Sequence, residues 1–98
     1  MEPPRNRRPV IVLHTPLTDP AKLNRFVEDC LREGTRLIAV AGPNAEIIEE
    51  TIDDIVVGDG SQADRFVVTS SHAGEPIEDV IYFASSWDGG SDVREVRL

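Results

Sequence analysis

Both histidines of the chain, His14 and His72, directly follow short runs of strand-forming residues, and each has hydroxyl or carboxylate neighbours. Thr15 follows His14, while Ser70, Ser71 and Glu75 surround His72, and Asn44 closes a third turn of the same kind. Imidazole titrates near neutrality and serves as a general base or a metal ligand, so these residues form the best available constellation for acid–base work. The competing expectation is structural, because polar residues also cap helices and close turns where strands end. His14, Thr15, Asn44, Ser70, Ser71, His72 and Glu75 are therefore candidate ligand-rim residues, and none is assigned a catalytic role. For His72 the expectation is a ring hydrogen-bonded to backbone groups of the loop that contains Gly74 and leads to Pro76.

Other chemistries find less support. His72-Ala73-Gly74-Glu75 has two possible ligands and His14 is the one further histidine, whereas zinc needs three or four ligands at a known spacing, so no metal and no cofactor is expected. Ser70 or Ser71 beside His72 suggests a nucleophile, yet adjacent strand residues point to opposite faces and the Gly-x-Ser-x-Gly elbow is missing. Gly58-Asp59-Gly60 lacks the lysine and hydroxyl of a phosphate loop and follows a helical pattern instead of a strand. The Rossmann glycines are absent after the first strand, and His14-Thr15 stands where a phosphoacceptor receiver would need paired acids.

The elements that must position these residues are readable from periodicity. Val10-Ile11-Val12-Leu13 and Leu37-Ile38-Ala39-Val40-Ala41 are continuous apolar runs, as in parallel strands covered on both faces. Phe66-Val67-Val68-Thr69 predicts a third such strand, and Val93 to Leu98 an edge strand. Asp19-Pro20 is a helix start signal. Leu23, Phe26, Val27, Cys30 and Leu31 then form one helical stripe that Gly34 ends. Gly42-Pro43-Asn44 is a turn whose last residue could cap the next helix, where Ile47, Ile48, Thr51, Ile52, Ile55 and Val56 are expected inside and Glu46, Glu49, Glu50, Asp53 and Asp54 outside. A third helix begins near Pro76, with Tyr82, Phe83 and Trp87 widening its apolar face until it should be well buried. Gly58-Asp59-Gly60-Ser61 and Asp88-Gly89-Gly90-Ser91 read as loops.

Strands alternating with helices imply right-handed βαβ crossovers. The fold class is α/β, a small three-layer sandwich with a mostly parallel sheet of about four strands and helices on both faces. Residues 10–98 make one domain, and residues 1–9, with Pro3, Pro4 and Pro9 among arginines, are expected to be a flexible basic arm.

Composition narrows the function classes. The chain has 98 residues, of which 40% are hydrophobic and 29% charged, a balance that supports a packed core. No apolar run approaches the ~20 residues that span a bilayer and no signal peptide opens the chain, so a cytoplasmic location and no membrane partner are expected. The single cysteine, Cys30, cannot form an intrachain disulfide and reads as a small core residue. The net charge of −8 would repel a phosphate backbone, so no nucleic-acid partner is expected and a basic protein partner suits better.

Asp64-Arg65-Phe66-Val67-Val68-Thr69, then His72, Glu75-Pro76, Val80 and Phe83-Ala84, together resemble the signature of an uncharacterised bacterial family of small standalone α/β domains of unknown function. Gly42 and the acidic helix through Glu46 and Asp53 are similar to that family too. The resemblance implies a fold and a bacterial origin and supplies no reaction. The first functional expectation is accordingly a non-catalytic acidic interaction or regulatory module, for example of immunity or inhibitor type, binding a protein partner. The alternative is a small-molecule enzyme or ligand sensor with its site at the C-terminal ends of the strands.

Overall fold

A computed structural model describes residues 9–60, 66–87 and 92–98. The expected arm up to residue 8 and the loop at 88–91 lie outside the described residues. Pro9, assigned to that arm, is buried, and its carbonyl accepts the Arg36 N–H at 3.1 Å.

Strands β1 (Val10–His14), β2 (Leu37–Ala41), β3 (Val68–His72) and β4 (Val93–Arg97) alternate with helices α1 (Leu23–Glu33), α2 (Ala45–Val57) and α3 (Ile77–Ser86). All strand pairs are parallel, and the sheet order is β3-β2-β1-β4. The chain thus steps one way from β1 to β3 and then returns past two strands to β4. Right-handed crossovers in opposite directions leave their helices on opposite faces, which explains the three layers. Leu23, Val27 and Cys30 of α1 and Ile52 and Val56 of α2 pack against Ile11, Leu13, Ile38 and Val40 on one face. Val80 and Ala84 of α3 pack against Val10, Val12, Leu37 and Ala39 on the other. The continuous apolar runs of β1 and β2 are therefore buried on both sides, as a central parallel strand must be.

The helix boundaries follow the local chemistry with two corrections. Asp19 accepts a hydrogen bond from the Ala21 N–H and opens a short 3-10 turn, Pro20–Lys22, and α1 begins only at Leu23. Gly34, at φ 79°, ends it in the left-handed conformation that glycine adopts without a Cβ penalty. Asn44 holds the cap position of α2 at φ 63°, but its side chain makes no capping bond, because the left-handed backbone departs from the extended one a capping side chain uses.

The third strand departs furthest from expectation. It runs Val68–His72, two residues later than the apolar run, and as an edge strand it is only half-buried along most of its length. Phe66 precedes it and is 73% exposed, outside the core in which it was expected. Phe26 packs partly buried against the α1–α2 core. Ile47, at 62% exposed, and the exposed Thr51 leave the buried stripe of α2, since a helix on one side of a sheet has room inside for about one such stripe. Tyr82 is likewise 73% exposed, so α3 is a surface helix with Val80 and Ala84 buried beneath it.

Candidate functional site

The register places three rim residues in one row. His14 pairs with Ala41, and Ala41 with His72, so both histidines end their strands on the face covered by α3 with β2 between them. They do not meet; each ring faces its own carboxylate. His14 Nε2 lies 2.9 Å from Glu95 Oε1 on β4. His72 Nδ1 lies 3.1 Å from Glu75 Oε1, and its Nε2 lies 2.8 Å from Ser70 Oγ.

The His72 contacts are side chain to side chain, where bonds to loop backbone were expected. Ser70 and His72 are two apart on β3 and therefore share a face, whereas Ser71 points to the α1–α2 face. Glu75 is brought back by a tight turn in which its N–H bonds the His72 carbonyl at 3.3 Å and Gly74 takes φ 81°. A carboxylate can only accept, so Nδ1 of a neutral His72 carries the proton and Nε2 accepts from the Ser70 hydroxyl. The ring is only 8% exposed, with the Phe83 ring centred 4.9 Å from it. The outcome is a hydroxyl–imidazole–carboxylate chain, an arrangement that can withdraw a proton from a hydroxyl and stabilise the resulting imidazolium.

Thr15 and Asn44 do not join it. The Thr15 hydroxyl lies 2.6 Å from the Pro43 carbonyl and 3.0 Å from that of Ala41, tying the loop after β1 to the loop after β2. Gly42 makes this closeness possible: at φ 110°, a Cβ there would stand 2.7 Å from both the carbonyl oxygen and the hydroxyl of Thr15. The β1–β4 junction is the place where an α/β sheet commonly opens a ligand crevice, because the connections leave in opposite directions. In this chain the backbone itself bonds there, the N–H groups of Thr18 and Asp19 donating to the Leu98 carbonyl at 2.5 and 3.2 Å.

Two features escaped the sequence reading. On the α2 side, the Thr69 hydroxyl lies 3.0 Å from Glu49 Oε2 and 2.7 Å from Asp53 Oδ1, so two of the acidic residues expected on the outer face lean toward β3. At the opposite end of the sheet from the histidines, Leu31, Gly34, Thr35, Arg36, Phe66, Val68 and Trp87 line a cavity of about 370 Å³. The Arg36 guanidinium lies 5.3 Å from the Trp87 ring centre there. The aromatic and basic residues carried the only prior signal of that cavity, and nothing in their spacing joins them. Cys30 is buried, and burial pushes its thiol above the ordinary range.

Among the described residues no cluster of three or more histidine, cysteine or carboxylate side chains could hold a metal ion, and no helix is long and apolar enough to cross a membrane. No curated protein and no solved structure matches the chain. A family model for a domain of unknown function, DUF7684, matches residues 2–92, and the chain belongs to that family.

Proposed function

We propose that the protein is an acidic interaction module that docks a basic protein partner on the outward face of α2. The observation that carries this reading is that Glu46, Glu50 and Asp54 are exposed without a cationic partner among the described residues, beside an Ile47 that is 62% exposed. Uncompensated carboxylates around an exposed aliphatic side chain suit a partner surface with lysine or arginine around an apolar contact. The long-range field of a chain with net charge −8 would steer such a partner and make association fast and salt-sensitive. An inhibitor or immunity-type protein acting on a basic enzyme in a bacterial cytoplasm is one concrete form. The alternative, an enzyme or ligand sensor at the strand ends, has the Ser70–His72–Glu75 chain in its support.

The test compares wild type with a variant combining Glu46→Gln, Glu50→Gln and Asp54→Asn, both immobilised and exposed to cell extract at low ionic strength. A protein retained by wild type, released by salt and not retained by the variant supports the reading. Identical retention by the two sinks it.

A further inference from the structure

The Ser70–His72–Glu75 chain sits on a surface suited to more than structure. Val68, Ser70 and His72 alternate along one face of edge strand β3. Helix α3 packs across β1 and β2, so this row lies beside the helix, with Phe83 and Trp87 forming the adjoining wall. One residue pair along the strand from Ser70, Val68 enters the lining of the 370 Å³ cavity with Phe66 and Trp87. A strand advances about 3.3 Å per residue, so that cavity begins roughly 7 Å from the Ser70 position. The hydroxyl held by a buried imidazole therefore stands two residues along β3 from a cavity that Phe66 and Trp87 wall together with Thr35 and Arg36.

We infer that Ser70 is a nucleophile for acyl transfer from small carboxylic esters, with His72 as its general base and Glu75 as the positioning residue, and with the cavity receiving an apolar or aromatic acyl group. This sharpens the strand-end alternative and does not depend on the α2 docking face. Ser70 Oγ bonds to the ester carbonyl carbon as its proton passes to His72 Nε2, and the carbonyl π electrons move onto oxygen. Collapse re-forms the carbonyl and breaks the bond to the alcohol oxygen, which leaves with the proton from His72. Water, deprotonated by the same nitrogen, then attacks the acyl-Ser70 ester, releases the acid and restores the hydroxyl. The balance is one ester and one water in, one acid and one alcohol out. Glu75 stays ionised throughout, holding Nδ1 and stabilising the imidazolium.

The experiment treats the full chain with a fluorophosphonate probe, maps the label by peptide mass spectrometry, and measures hydrolysis of p-nitrophenyl acetate, butyrate and benzoate. The expected result is phosphonylation of Ser70 and faster turnover of the butyrate and benzoate than of the acetate. Ser70→Ala should abolish the label and lower hydrolysis by about 100-fold, with an unchanged circular dichroism spectrum. Ser71→Ala, on the opposite face, should label as wild type. Glu75→Gln should slow turnover and move its pH profile, which a merely structural contact would not do. An unlabelled wild type, a label on another serine, or undiminished hydrolysis by Ser70→Ala overturns the nucleophile. Equal turnover of the three esters overturns the acyl assignment. Loss of partner binding on α2 with labelling intact separates this inference from the docking one.

Discussion

His14 Nε2 stands 2.9 Å from Glu95 Oε1, joining the end of β1 to β4 across 81 positions of sequence. Glu95 pairs in register with Val12 and so shares the α3 face with His14, two residues further along. The Glu95 carboxylate is nearly half exposed, and a polar contact so placed contributes little. We expect Glu95→Gln to change stability by less than about 1 kcal/mol in urea titration. A larger loss would show that this contact, more than the ladder hydrogen bonds, holds the last strand.

The contrast between Ile52 and Phe66 tests where the core ends. Ile52 is fully buried under α2, and Ile52→Ala should cost about 2 to 5 kcal/mol through lost transfer energy and a cavity. Phe66 is mostly exposed, and Phe66→Ala should cost under about 1 kcal/mol. Equal losses in chemical denaturation would contradict the placement of Phe66.

Two glycines separate backbone strain from crowding. Gly42 and Gly74 both have positive φ, but a Cβ at Gly42 would strike Thr15, whereas one at Gly74 meets nothing within 4 Å. Gly74→Ala should cost about 1 to 2 kcal/mol from the left-handed backbone alone. Gly42→Ala should cost more, since the loops after β1 and β2 must also move apart. Thermal melts of the two variants in parallel check the order.

The Cys30 thiol ties stability to alkaline pH. Burial is the main cause that raises its pKa, opposed by the neighbouring Thr35 hydroxyl, with Glu33 and Asp29 adding to the rise. A folded-state pKa above the unfolded one favours the neutral thiol, so its contribution is complete below the unfolded value and fades as pH rises from about 8.5 through the folded value. Wild type should therefore lose stability over that window relative to Cys30→Ala. The native thiol should also react slowly with a thiol reagent until denaturant is added. Parallel pH curves for the two proteins would contradict this.

The alternation of apolar runs and amphipathic stripes was enough to determine an α/β sandwich, because the two-residue and 3.6-residue periods are local and each demands its own covered face. Val10 to Leu13, Leu37 to Ala41 and the stripe from Leu23 through Cys30 behave as their patterns require. Which strand would lie at an edge was not local. The Phe66-Val67-Val68 run looks as apolar as the first two, yet the return of the chain past β2 and β1 leaves β3 outermost and Phe66 exposed. The same holds for the candidate site. Residue types and their neighbourhood pointed to His72, Ser70 and Glu75, but the bonds among them depend on the strand continuing through His72 and on Gly74 turning Glu75 back. His14 and His72 are equivalent in sequence, each closing a strand. Only the insertion of β2 between them decided that each would take a separate carboxylate, since pairing order is settled by contacts between distant segments and leaves no trace in local periodicity.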